Sequence, residues 1–316
     1  MLNADKVTEW QDDIVKSVAL YNTWFLKAAP KAYSDTRQSA IDQVRHALTI
    51  TDSMRSLTPT VLASDPAIIS PLRMMTGPPL ARDRLIGLGG IKSGSLIRRM
   101  ENGSLPTRIG QGELEIELEK ICLIINRLLD KDVLGWLDGS LDPEPEEVFT
   151  AAMVVADRLC GSVADPIIRN AQEQRQLALI GEYLEKRGYE RKTHSDPEAL
   201  SKMSSGTYSF RQAVSVGPDN NVNMPIDVVI QPISRRGGEL PILLECKSAG
   251  DFTNTNKRRK EEAQKFNQLK AKFGEDVPFY LFLCGYFDAG YLGYEAAEGI
   301  DWIWEHRIDD MDKLGL

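Results

Sequence analysis

Cysteine and histidine are scarce: Cys122, Cys160, Cys246 and Cys284 are the only cysteines in 316 residues, and there are three histidines. No two cysteines form a Cys-x-x-Cys pair, which argues against a structural zinc site or a disulfide scaffold and for a reducing compartment. No run approaches the ~18 to 20 consecutive apolar residues that cross a bilayer. The opening residues MLNADKVTEWQDD carry acids in place of an apolar signal core, so the expectation is a cytoplasmic chain with no membrane attachment. What is present, 42% hydrophobic and 27% charged residues, excludes collagen-like and disordered chains and supplies a sizeable core. The length is about twice the ~150-residue prior for a single domain.

The formal charge of −8 would usually argue against a polyanionic partner, but it is unevenly spread. Residues 54–108 sum to +5, residues 109–152 to −8 and residues 247–272 to +5 again. Two basic segments in an acidic protein suit a molecule that holds nucleic acid at chosen faces and stays soluble elsewhere. Two solvated helix faces would give the same pattern.

The first half reads as helical. Trp10, Ile14, Val18, Tyr21 and Phe25 recur at helical spacing, as do Ile41, Val44, Ala47 and Leu48 after a polar turn at Ser34-Asp35-Thr36. Prolines at 59, 66, 71, 78 and 79 then cut the pattern into short pieces. Longer helices are predicted around Leu118 to Leu128, over 148–159 and over 172–186. Strand-like runs follow at 207–216, 224–233, 240–247, 278–286 and 300–304, with a helix over 260–273 between the third and fourth. The expected fold class is α/β, a mixed sheet with a predominantly helical N-terminal domain. The predicted division is 1–165, a helical recognition or scaffold domain, and 166–316, the domain that carries the chemistry.

The sharpest local feature is Pro225-Ile226-Asp227 on one strand, with Glu245-Cys246-Lys247 eighteen residues further on the next. Strand side chains alternate, so Glu245 and Lys247 share a face and Cys246 takes the other. Charges set among Leu243, Leu244, Val228 and Val229 cost several kcal/mol each unless they are paired, hydrated or bound to a metal. Two carboxylates and a lysine at adjacent strand ends suit phosphodiester hydrolysis. The carboxylates would hold Mg²⁺, a hard ion that takes oxygen ligands, and the main-chain carbonyl of Cys246 would add one more. The lysine would orient or activate the attacking water.

These residues resemble the PD-(D/E)xK nuclease superfamily, whose signature appears here as Pro225-x-Asp227 and Glu245-x-Lys247, with one residue inserted after the proline. The predicted element order also resembles that fold's core. Two further blocks, residues 78–106 and 290–310, resemble the XamI-like group of type II restriction endonucleases. The resemblance implies a Mg²⁺-dependent, sequence-specific endonuclease acting on double-stranded DNA, as a homodimer on a palindromic site. It also implies a further acid from the helix before the first strand, best matched by Glu173, which shares a helical face with Leu177, Ile180 and Leu184. RecB-like members carry Gln-x-x-x-Tyr on the following helix, whereas Gln264 is followed at that spacing by Gln268.

Asn254, Asn256, Lys257, Arg258, Arg259 and Lys260 lie at or before a helix start, where the macrodipole disfavours cations. They are therefore expected to contact the DNA backbone. Residues 82–102 have the outline of a helix-turn-helix, with a second helix over 93–101. Arg82, Arg84, Lys92, Arg98 and Arg99 are the candidate DNA-binding side chains, although Arg82 and Arg84 would equally serve as partners for core acids. Three strings are set aside. Gly87 to Gly94 imitates a phosphate-binding loop, but Ile91 separates glycine from Lys92 and no strand precedes it. His194-Ser195-Asp196 is a triad only in spelling, because sequence neighbours cannot form the relay. Trp302 and Trp304 read as core or dimer surface, not as base-stacking platforms. Two alternatives stay open: a repair or structure-specific nuclease, and a catalytically inactive DNA-binding regulator.

Overall fold

The computed structural model describes residues 1–139, 141–193, 199–217, 222–235, 239–253 and 255–316, with the side chains of 199, 201 and 255–258 outside that description. Helices come first: α1 (Trp10–Ile50), α2 (Pro59–Ser64), α3 (Ile69–Met74), α4 (Arg82–Gly89), α5 (Leu96–Glu101), α6 (Gln111–Leu128) and α7 (Pro145–Glu185). Then β1 (Glu190–Arg191), β2 (Thr207–Val216), β3 (Val222–Gln231), β4 (Ile242–Ala249), α8 (Thr255–Phe273), β5 (Phe279–Gly285), α9 (Ala289–Ala297) and β6 (Asp301–Trp304) complete the order. The mixed α/β class is as expected from the sequence. Two compact units separate: Met1–Ala28 with Ile168–Leu316, and Ala29–Ile167. The first 28 residues, assigned from sequence to the helical domain, thus pack with the sheet. No helix among the described residues is long and apolar enough to cross a membrane.

In the unit Ala29–Ile167 the prolines act as starters of short helices. Thr58 caps α2 by accepting the Val61 N–H, and Asp65 does the same for the turn that opens at Pro66. Val44, Leu62, Ile69, Leu72, Leu85, Leu96, Ile121 and Val155 form the sealed interior. Glu101 ties two elements to this core, pairing with Arg73 and with Arg82, each at 2.5 Å. Two expected breaks are absent. α1 runs through the polar turn predicted at Ser34 because Thr36 bonds back to the Ala32 carbonyl at 2.7 Å and Lys31 pairs with Asp35 one turn on. α7 likewise runs through Pro166, joining two predicted helices, since an internal proline removes one N–H bond and leaves the apolar stripe intact.

The other unit is built on a six-stranded sheet in sequence order, β1 to β6. β1 runs parallel to β2, β3 is antiparallel to both its neighbours, and β4, β5 and β6 are mutually parallel. One face is covered by α7 through Leu177, Ile180 and Leu184 against Val228, Ile230, Leu244 and Phe282. The other takes Phe266 and Leu269 of α8, Tyr291 and Leu292 of α9, and Trp10 and Ile14 of α1 against Val229, Leu243 and Leu281. Trp302 and Trp304 are fully buried here, so they are core.

The opening residues join this unit through one acid. Asp301 accepts the backbone N–H groups of Leu2, Asn3 and Ala4, with the last two at 2.9 and 3.0 Å. Asn3 also donates to the Trp302 carbonyl, and Asp13 pairs with Arg307 at 3.0 Å. Gly285, at the end of β5, has φ +105° and its N–H is accepted by Ser17; a Cβ there would stand 2.1 Å from the Ala249 carbonyl oxygen. Gly285→Ala is therefore expected to lower stability by upward of ~2 kcal/mol, read as a reduced urea midpoint. An unchanged midpoint would mean the strand end relaxes freely.

Candidate active site

Side-chain alternation reverses once along β2 and β3, at the same level on both. Tyr208 and Phe210 face α7, whereas Val214 and Val216 face α8; Met224 and Ile226 face α8, whereas Val228 and Ile230 face α7. All eight positions are even, so each strand rolls over between them. The ladder pairs Phe210 with Val228 and Gln212 with Ile226, with no pairing recorded at Arg211 and Asp227 between them. Arg211 has φ +51°, in the left-handed region that L-residues avoid, and this local turn accounts for the reversal on β2.

The β3–β4 ladder ends at that point too. Its last pair is Val228 with Leu244, so one step further the register sets Asp227 level with Glu245. There the strands part, and the Cys246 N–H is accepted by Asp227 Oδ2 at 2.8 Å. A side chain has taken the place of a ladder carbonyl. Both carboxylates thereby stand level where the two strands part, the mouth of the site.

Glu245 is buried and has two cationic partners. Its Oε1 accepts from Lys247 Nζ at 2.9 Å and its Oε2 from Lys265 Nζ at 2.7 Å, and Lys265 also donates to the Pro225 carbonyl at 2.7 Å. Lys247 lies 4.0 Å from Glu262 of α8, which accepts the Tyr291 hydroxyl at 2.5 Å. The strands therefore bring Asp227, Glu245 and Lys247 together as the sequence predicts. α8 adds Lys265 and Glu262, which that reading missed. A signal existed: Glu262 stands four residues before Phe266 on the stripe that continues through Leu269 and Phe273, and a charge on a buried stripe is as anomalous as one in a strand core.

Burial, and then the Glu245 charge, push Asp227 up to about 6, with the Cys246 N–H and the two lysines acting in the opposite sense. Burial pulls Lys247 down but is outweighed by Glu245 and Glu262, so its net direction is upward and it stays an ammonium. Burial raises the Cys246 thiol, whose side chain packs with Leu244 and Phe282 on the α7 face, as alternation predicted. Glu173 reaches the sheet at the same level as Asp227, its carboxylate 2.7 Å from an Arg211 guanidinium nitrogen. Its charge is felt at Cys246.

The oxygen donors fit a hard divalent ion. Two carboxylates that repel each other gain from a cation between them, and magnesium asks for few protein ligands because it keeps several waters. Among the described residues no group of three or more acidic, histidine or cysteine side chains is arranged to hold a metal ion.

The basic candidates divide. Arg82 is engaged with Glu101, while Arg84, Lys92, Arg98 and Arg99 are exposed. α5 is shorter than the predicted 93–101, because Ser93 accepts the Leu96 N–H in a preceding turn. Arg259 lies over the Tyr294 ring at 4.8 Å, and Lys260 is exposed. Asn254 and the side chains of Asn256, Lys257 and Arg258 lie outside the described residues, as does His194-Ser195-Asp196.

The profile of the XamI restriction endonuclease family matches residues 52–304. The chain belongs to the XamI restriction endonuclease family. As a family member it is a sequence-specific deoxyribonuclease. The type II restriction enzyme SalI of Streptomyces albus G is 56% identical over 315 residues, covering 100% of each chain. No solved structure matches. The match to the XamI family spans both compact units and ends at the last residue of β6.

The roll-over at Arg211 is open to a direct test. Arg211→Gly accepts the positive φ and Arg211→Val resists it, so the glycine variant should be the more stable of the two by roughly 1–2 kcal/mol in urea denaturation. Equal stabilities would mean the backbone flattens without cost.

Proposed function

We propose that the chain is a type II restriction endonuclease, acting in the cytoplasm as a homodimer on a palindromic site in double-stranded DNA. Asp227, Glu245 and Lys247 are its catalytic set. The placement of Asp227 and Glu245 at one level where β3 and β4 part, with the Lys247 ammonium 2.9 Å from Glu245, carries this reading. Asp227 and Glu245, with the main-chain carbonyl of Cys246, would hold Mg²⁺. That ion supplies positive charge against the scissile phosphate and lowers the cost of forming the attacking hydroxide.

The chain's own groups supply orientation. Lys247 has three donors on a compact ammonium, so it can hold a carboxylate with one while donating to the attacking water or to a phosphate oxygen with another. The Cys246 N–H fixes one oxygen of Asp227. Lys265 restrains Glu245 from the α8 side and, through the Pro225 carbonyl, ties that helix to β3. Glu173, held by Arg211, is a fourth acid beside the set. Arg84, Lys92, Arg98 and Arg99, exposed cations of the helical unit, would meet DNA. Lys260, with Asn254, Asn256, Lys257, Arg258 and Arg259, remains the proposed backbone-contacting group of the other unit.

Purified protein incubated with unmethylated phage DNA should give discrete bands with Mg²⁺ and none with EDTA. A smear would favour a structure-specific nuclease. Asp227→Ala should abolish the bands and leave DNA mobility shifts intact, and cleavage that survives this change removes Asp227 from the set. Arg98→Ala with Arg99→Ala should weaken binding to every sequence and reduce the slope of log affinity against log salt by about 1 to 2. A loss confined to one sequence would instead make them base readers.

A further inference from the structure

Glu262 and Glu295 are two buried acids that the cleavage chemistry above does not use. Glu262 is 2% exposed and Glu295 is fully buried. They belong to successive helices, α8 and α9, which are packed together behind the mouth of the site. Both oxygens of Glu295 and Oε1 of Glu262 lie buried with no hydrogen-bond donor among the described residues. Two adjacent buried carboxyls cannot both ionise, so one keeps a proton and donates it to the other. Glu295 is the one that keeps it: burial, and then the Glu262 charge, push it up to about 9, with only Arg259 opposing. Burial raises Glu262 as well, but Lys247, the Tyr291 hydroxyl and the Glu295 carboxyl all favour its charged form, so it is the partner that gives up the proton. It receives the Tyr291 hydroxyl at 2.5 Å on one oxygen and turns the other to Lys247 across 4.0 Å.

We propose that Glu262 is a positioning residue for Lys247, a buried carboxylate fixed by Tyr291 and Glu295 that sets where the ammonium stands. The inference rests on the reading of Lys247 as a catalytic group. Its necessity follows from the double duty of Glu245, which is the nearest acid to Lys247 and also the acid assigned to the metal. Once the Glu245 oxygens are committed to another cation, Glu262 is the remaining carboxylate paired with Lys247 among the described residues. Without it a flexible four-carbon side chain is free to leave the scissile phosphate. Buried on α8 between Tyr291 of α9 and Lys247 of β4, Glu262 can hold that position at little further cost in side-chain entropy.

The test compares an isosteric neutral variant with a shorter charged one in the full-length chain. Glu262→Gln keeps the shape and loses the charge; Glu262→Asp keeps the charge and loses a methylene. A positioning role predicts that Glu262→Gln lowers the single-turnover cleavage rate about 10- to 100-fold, with DNA affinity in EDTA unchanged, and that Glu262→Asp is the less impaired. A packing role predicts the opposite order, and finding that order overturns the proposal. Reductive methylation located by mass spectrometry gives a readout apart from activity: Lys247 should be modified faster in Glu262→Gln than in the wild type, and equal rates count against the proposal. Should Glu262→Gln fail to fold, Tyr291→Phe removes one of the two holds on the carboxylate and should lower the cleavage rate several-fold without weakening DNA binding. A wild-type rate in Tyr291→Phe would then overturn the proposal. Lys247→Ala separates the two levels of the argument. If it cleaves normally, the catalytic assignment fails and the positioning role with it; if it is inactive while Glu262→Gln cleaves at the wild-type rate, only the positioning role fails.

Discussion

The parting of β3 from β4 below the pair Val228 and Leu244 is the constraint on which the site depends. An antiparallel ladder satisfies its own backbone groups, and as long as it continues there is no room between strands for a substrate. Ending it exposes N–H groups that need acceptors. Asp227 supplies one for Cys246, so the residue assigned to chemistry also closes the sheet's hydrogen-bond account at that edge. Replacing it therefore alters an acceptor as well as a charge, and a loss of activity is cleanly interpreted only beside an intact fold.

The strand acids were legible in the sequence because each violates a pattern. Asp227 interrupts Ile226 and Val228, and Glu245 with Lys247 follows Leu243 and Leu244. An apolar run has no use for charge, so such a position advertises itself. The strand positions from β2 on were legible for the same reason, with β2 read to the residue and β3 to β6 to within a few, whereas the two-residue β1 was not read. Two things were not. The roll-over at Arg211 leaves no mark in composition, since arginine has no preference for the left-handed region, and the even-numbered apolar positions on both sides of it read as one unbroken face. Lys265 and Glu262 were hidden by the density of charge in the first half of α8, where the sequence Lys-Arg-Arg-Lys-Glu-Glu draws the eye to solvent.

Helix continuity was misjudged in the other direction. A polar triplet at Ser34 and a proline at 166 are ordinary stop signals, but both lie inside 41-residue helices. Local propensity is a weak prior once a helix has packing to either side of the offending residue. The assignment of Met1–Ala28 was lost for a different reason. Its helical periodicity gives the face it buries but not the partner, and the partner is a sheet that the chain reaches only after 168.

Asp301 joins residues 2 to 4 to the last strand across a sequence separation of up to 299. Contacts of such high order close late in folding, because nearly the whole loop must be ordered before they return anything. At a synthesis rate of ~5–20 residues per second, the opening segment waits roughly 15 to 60 s for its acceptor to be made. During that interval Trp10 and Ile14 have no sheet face to cover. A truncated or stalled product carrying β3 and β4 but lacking β6 would hold the strand acids without the clasp that seats α1. The arrangement couples the pairing of the last strand to the seating of the first helix on the sheet.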